Sequence, residues 1–88
     1  MTHAVVLIEA EREAMADLGG TLADIEGVGE AYSVTGEWDF VVILRVRSPE
    51  EIADTVTRRL AQVPGIRRTH TLVAFRAYRD ADYDWEIS

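Results

Sequence analysis

The sequence predicts an α+β domain of the ferredoxin-like type, βαββαβ, with one four-stranded antiparallel sheet and two helices on one face. Three observations predict it. Four short apolar runs are rich in β-branched residues, two segments with helical spacing alternate with them, and a glycine turn joins the middle two runs. Because 88 residues are too few for two separate cores, we expect residues 1–88 to form a single domain with its core in residues 4–78.

The first strand is predicted over Ala4–Ala10, which is apolar at nearly every position. Such a run is typical of a strand that is covered on both faces. The first helix follows and ends before Gly27, where a C-cap glycine is expected. Its apolar side chains recur at helical spacing, at Met15, Leu18, Leu22 and Ile25.

A β-hairpin is predicted next, with strands at Val28–Thr35 and Asp39–Arg47 around a turn at Gly36-Glu37-Trp38. The second of these strands is apolar on both faces. One face, expected against the helices, carries Phe40, Val42, Leu44 and Val46, and the other carries Val41 and Ile43.

The second helix has the clearest start signal in the chain. Ser48 is placed as the N-cap, Pro49 as the first helical residue and Glu51 as the capping-box acid. Pro64-Gly65 ends the helix, and a fourth strand is predicted over Ile66–Tyr78. The apolar stripe of this helix consists of Ile52, Val56, Leu60 and Val63.

The second apolar face of the sheet predicts an oligomer. No remaining element covers Val41 and Ile43, and a chain without cysteine cannot stabilise a small domain with disulfides. We therefore expect two copies to pair through their sheets into an α+β barrel, with further assembly of dimers.

The tail, residues 79–88, is predicted to pack on a neighbouring subunit. Tyr83, Trp85 and Ile87 alternate with polar residues, which is typical of a half-buried strand. The alternative is a solvated acidic tail with incidental aromatic residues.

Charge and motif content exclude several function classes. The net charge is −7, with sixteen acids and nine bases, which disfavours direct binding to nucleic acids or to membrane surfaces. The amino-terminal residues resemble no signal sequence, and the lack of cysteine suits a cytoplasmic protein. No nucleotide-binding or nucleophile motif is present, and His3 and His70 lie far apart, so no cofactor, metal site or catalytic residue is predicted.

Two segments together resemble the effector-binding domain of the Lrp/AsnC family. Residues 28–40 are similar to its hairpin pattern V-x-x-x-x-x-V-T-G-x-aromatic-D, and residues 63–71 are similar to its I-P-G-V-x-x-T-x-T pattern. Trp38 stands where the family more often has tyrosine. The first strand begins almost at residue 4, so the chain resembles stand-alone members that lack the DNA-binding helix-turn-helix.

The resemblance implies an amino-acid site where the hairpin loop and the fourth strand meet near a subunit boundary. Asp39 would bind the ammonium group, and backbone N–H groups around Gly36 would bind the carboxylate. Thr69 and Thr71 share a strand face and would add hydroxyl contacts. Interpreted without the resemblance, Asp39 caps the hairpin and the threonines are ordinary strand residues. Tyr32 and Trp38 are either pocket residues or core and interface aromatics.

Three functions are consistent with these residues. The leading hypothesis is a non-catalytic sensor that binds a free amino acid at an oligomer interface and regulates transcription through full-length relatives. The second is an assembly partner that co-oligomerises with such a regulator and binds nothing small. The third is a small cofactor-free enzyme of the dimeric barrel type, for which His70 and Asp39 are the candidate groups.

Overall fold

The computed structural model describes residues 1–76 and 78. Its elements follow the order β-α-β-β-α-β, and the four strands form one sheet in the order β2-β3-β1-β4. All strand pairs are antiparallel. The ferredoxin-like prediction is therefore confirmed. The proposed intersubunit strand at Tyr83, Trp85 and Ile87 lies outside the described residues.

The strands are close to their predicted positions, but each of the four differs from its prediction at one or both ends. They are β1 (Thr2–Ala10), β2 (Val28–Ser33), β3 (Phe40–Val46) and β4 (Ile66–Val73). Strand β4 ends five residues before the predicted Tyr78. Its register with β1 runs to Val73 opposite Ala4, and one further backbone bond joins Ala74 N to His3 O at 2.9 Å.

Helix α1 spans Met15–Ala23 and follows a short 3-10 turn at Arg12–Ala14. Leu18 and Leu22 are buried as predicted, whereas Met15 is 37% exposed and lies at the margin of the stripe. A Cβ on Gly19 would lie 3.3 Å from Phe40 Cε1, so the lack of a side chain lets this helix approach the sheet closely.

Helix α2 begins at Pro49–Asp54 and continues through a π-helical turn, Thr55–Arg59, and a 3-10 turn, Leu60–Gln62. The Ser48 hydroxyl accepts a hydrogen bond from the Glu51 backbone N at 3.4 Å, which confirms the predicted N-cap. The Glu51 carboxylate accepts a hydrogen bond from Arg47 N, whereas a capping box would have it accept one from Ser48 N.

The π-helical turn buries one residue that the apolar stripe did not indicate. Thr55 is fully buried, and its hydroxyl donates to Glu51 O at 2.7 Å. Arg59 Nη1 donates to Thr55 Oγ1 and to Glu26 O, which joins this turn to the loop before β2.

The helices cover only one face of the sheet. Alternate residues of β1 and β3 are buried beneath them with Leu18, Leu22, Ile52 and Leu60. The other face, which we term the open face, carries the intervening residues of the same strands. On the open face Val5, Leu7, Val41 and Ile43 form an apolar centre that is only half-buried, flanked by Tyr32 and Leu72.

Candidate ligand-binding site

The hairpin loop, residues 34–39, is folded back against the end of β1. Val34 N donates to Asp39 O at 3.0 Å, which closes the loop at its base. Asp39 N donates to Ile8 O at 2.9 Å, which ties the loop to the central strand. Gly36 at the tip has φ +111°, a conformation that glycine adopts without strain, and its surroundings are open.

The Asp39 carboxylate has a structural role and retains binding capacity. Its Oδ2 accepts a hydrogen bond from Ala10 N at 2.8 Å, so it satisfies a backbone donor at the end of β1. Among the described residues no donor pairs with its other oxygen, Oδ1. A carboxylate carries about four acceptor positions, so one backbone bond leaves room for a cationic ligand.

A second set of contacts fixes the side chains of the loop, and we term it the Arg68 cluster: Glu9, Glu37, Trp38, Arg68 and His70. Arg68 Nε donates to Glu9 Oε1 at 2.9 Å, and Arg68 Nη2 lies 3.5 Å from Glu37 Oε2. The guanidinium carbon lies 4.4 Å from the centroid of the Trp38 ring, a cation–π distance.

The remaining contact of the cluster is between aromatic rings. The Trp38 and His70 ring centroids are 6.2 Å apart, at an interplanar angle of 39°. The hydrogen bond to Glu9, with the attraction of Glu9 and Glu37, raises the pKa of Arg68 above its usual value. Both interactions stabilise the charged form of the guanidinium.

Arg68 and His70 belong to the open face. In the register of β1 and β4, Arg68 lies opposite Glu9 and His70 lies opposite Leu7. Directly paired residues project to the same side of a sheet, so the Trp38 ring also lies on this side. Tyr32 lies opposite Val41 on the same face and is 51% exposed.

The two threonines of β4 lie on the opposite side from Trp38. Thr69 pairs with Ile8 and Thr71 with Val6, both of which are buried beneath the helices. Thr69 also borders a crevice of about 200 Å³ between β4 and α2. The threonines share a face as predicted, but within one chain their hydroxyls and the loop aromatic project to different sides.

Sequence reasoning missed the Arg68 cluster. As a pair of adjacent basic residues, Arg67 and Arg68 suggest one solvated surface, although neighbouring strand residues project to opposite faces. The structure gives them different partners, since Arg67 lies 3.9 Å from Glu11 while Arg68 contacts Glu9 and Trp38. The alternation of Arg68 and His70 with the two threonines was the available signal.

Other candidate features lie away from the hairpin loop. A cavity of about 460 Å³ lies at the opposite end of β1, bordered by His3, Pro49, Val73 and neighbouring residues. In the part of the chain that the structure describes, no group of three or more His, Cys, Asp or Glu side chains is placed to hold a metal ion. None of the described helices is long and apolar enough to cross a membrane.

Comparison with known proteins identifies relatives over almost the whole chain. The family model of the Lrp/AsnC ligand binding domain matches residues 3–83. The HTH-type transcriptional regulator FL11 of Pyrococcus abyssi is 27% identical over 77 residues, which are 88% of this chain and 50% of that protein. An uncharacterized HTH-type transcriptional regulator of Pyrococcus furiosus, PF0250, is 32% identical over 84% of this chain and 51% of its own length. The chain thus spans about half the length of these curated relatives.

Solved structures give the same fold. The protein TTHA0845 from Thermus thermophilus is 41% identical, with a TM-score of 0.86 over 91% of this chain and 100% of that one. A transcriptional regulator of Neisseria meningitidis, solved as an L-Met complex, is 14% identical with a TM-score of 0.79. It matches 90% of this chain and 53% of its own, and its likeness concerns the fold alone.

Proposed function

This chain belongs to the family of Lrp/AsnC ligand-binding domains, and we propose that it is a regulatory sensor that binds a free amino acid at the hairpin loop. The observation that carries the proposal is the Asp39 carboxylate. One of its oxygens is held by Ala10 N, and the other is available beside a glycine turn. A ligand that carries both an ammonium and a carboxylate group matches this pairing of an acid with accessible backbone.

The chemistry of an amino acid assigns a role to each group of the site. Asp39 accepts a charge-assisted hydrogen bond from the ammonium group, and N–H groups near Gly36 donate to the carboxylate. Trp38, with Tyr32 on the same face, offers aromatic surface to the ligand side chain. The Neisseria regulator of the same fold was solved as an L-Met complex, which supports an amino acid as the ligand class.

We propose that Thr69 and Thr71 take part through assembly. Thr69 projects to the helix side of β4, whereas the Trp38 ring contacts Arg68 on the open face, so one small ligand does not bridge Thr69 and Trp38 within one chain. A neighbouring subunit that packs against the β4 edge would place a second loop near these hydroxyls. The site is then completed by more than one copy.

The open face supports pairing of two copies through their sheets. Its centre is apolar and half-buried in the single chain, and charged pairs border it on two sides, Glu9–Arg68 near the hairpin loop and Glu30–Arg45 at the far end. An apolar centre with a polar rim is the usual anatomy of a protein interface. Val41 and Ile43 are the central contacts of the proposed dimer.

A non-catalytic role agrees with the relatives, which are transcriptional regulators. A full-length regulator with a helix-turn-helix is the proposed protein partner. The net charge of −7 disfavours direct binding of this domain to DNA. The extensive open face also suits a second function, that of an assembly partner without a small ligand.

Isothermal titration calorimetry with the twenty amino acids separates these two functions. We expect heat with one or a few of them, and L-methionine is the first probe. Asp39→Ala should weaken binding by roughly 1.5–3 kcal/mol, the range for hydrogen bonds to charged groups. If none of the twenty produces heat at millimolar concentration, the sensor proposal fails in favour of the assembly partner.

Asp39→Asn distinguishes ligand binding from structure. The amide oxygen of asparagine can still accept the bond from Ala10 N, while the charge that attracts ammonium is removed. We expect weakened binding with an unchanged melting temperature. Asp54→Asn is the charge-matched control, because Asp54 lies on α2 in an exposed pair with Arg58.

A further inference from the structure

Arg68 connects the hairpin loop to β1 and β4 through the Arg68 cluster. Its contacts reach Glu9 on β1 and Glu37 and Trp38 on the loop, while Arg68 itself lies on β4. These segments are up to 59 residues apart in the sequence. A single planar guanidinium makes the hydrogen bond, the ion pair and the ring contact at the same time.

The backbone bonds of the loop do not fix its tip. They hold its base, through Val34 and Asp39, and leave Gly36 in open surroundings. Between these points, Glu37 and Trp38 are held by side-chain contacts with β4. Arg68 therefore provides the contact to Glu37 and one of the two contacts to Trp38.

We propose that Arg68 is the positioning residue of the hairpin loop, which sets the place of the Trp38 side chain, next in sequence to Asp39, without contacting the ligand itself. The effect on ligand binding rests on the function proposed above, whereas the effect on the loop does not. A loop that is already ordered binds with less loss of conformational entropy, so Arg68 increases affinity by preorganisation. It also determines how much space the Trp38 ring leaves for a ligand side chain.

Tryptophan emission tests the first part without any ligand. In the Trp85→Phe variant, Trp38 is the only tryptophan of the chain. We expect Arg68→Gln in this background to shift the emission to longer wavelength and to increase quenching by acrylamide. Arg68→Lys keeps the charge but not the planar stacking surface, so it should give an intermediate result. The parent and Trp85→Phe proteins are first matched for mass by light scattering.

Arg67→Gln is the matched control. It removes the same charge from the next residue of β4, whose partner is Glu11 and whose side chain projects to the other face. We expect its Trp38 emission and quenching to equal those of the Trp85→Phe parent. If Arg68→Gln leaves both quantities unchanged, or if Arg67→Gln alters them equally, the positioning role is refuted.

Calorimetry tests the second part with the amino acid that binds the parent protein. Freeing one or two ordered side chains should weaken binding about three- to tenfold in Arg68→Gln, and Arg67→Gln should bind like the parent. If the emission of Arg68→Gln shows a more exposed Trp38 but its affinity for the amino acid equals that of the parent, the link between Arg68 and ligand binding is refuted. If the parent binds no amino acid, the proposed function fails, and the emission experiment still decides the role of Arg68.

Discussion

The two faces of the sheet differ in coverage although the same two strands supply apolar residues to both. On the helix side, Val42 and Leu44 are fully buried beneath α1 and α2. On the open face, Val41 and Ile43 from the same strand remain half-buried. Among the described residues, the helices therefore complete the helix side within one chain and leave the open face partly exposed.

The strongest test of this difference introduces a charge into the open face. In Val41→Arg, two copies that pair through their sheets would each bury an unpaired cation, which costs several kcal/mol. We expect complete loss of the dimer, with a mass of 9.8 kDa by light scattering and unchanged far-ultraviolet circular dichroism. An unaltered dimer in this variant would exclude Val41 from the interface.

Leu44 and Ile43 are neighbours on opposite faces, so truncation of each measures its own face. Leu44→Ala should lower the free energy of unfolding by about 2–5 kcal/mol, the usual cost of a cavity in a packed core. This cost should not vary with protein concentration. The cost of Ile43→Ala should be smaller in dilute protein and grow with concentration, as for a dimer interface. Urea denaturation at two protein concentrations measures both costs. If the two costs depend on protein concentration in the same way, Ile43 does not lie in a dimer interface.

The coverage of the helix side also depends on where α2 begins. Ser48→Ala removes the N-cap bond to Glu51 N and should lower the free energy of unfolding by about 1 kcal/mol. Ser48→Asp, which retains a capping oxygen, is the control and should restore most of the stability. The open face should not be affected, so the dimer mass should stay unchanged in both variants.

The smallest expected effects come from two exposed ion pairs. Arg58→Gln breaks the Arg58–Asp54 pair on α2 and should change stability by less than about 0.5 kcal/mol. Arg45→Gln breaks the Glu30–Arg45 pair, which lies on the open face. We expect the second variant, but not the first, to alter the salt dependence of dimer mass. If both variants leave it unchanged, Arg45 lies outside the interface.

The sequence predicted the helix side better than the binding site for a physical reason. The burial of β1, β3 and α2 follows from periodic apolar residues, whose effect is local and non-directional. The Arg68 cluster instead depends on how far the hairpin loop extends across β1 toward β4. The spacing of apolar residues does not predict that distance. Thr55 was missed because it is polar, although it lies three residues after Ile52 and so on the same helical face.

The end of β4 shows the same limit. Residues 74–78 continue the β-type pattern of the sequence, but beyond Val73 the described residues form one further backbone bond to β1, from Ala74 N to His3 O. The sequence pattern therefore predicted a strand where the described residues form only one backbone bond to a neighbouring strand. Phe75 and Tyr78 are left largely exposed.

The central place of β1 has a consequence for synthesis of the protein. This strand leaves the ribosome before its partners, which begin at Phe40 and Ile66. Thr2 can pair with β3 only after Val46 has been synthesised, and Ala4 can pair with β4 only after Val73 has been synthesised. Pairings so distant in the chain close late and slowly. Until then the apolar residues of β1 are exposed on an unfinished nascent chain, where chaperones that bind extended apolar segments would find them.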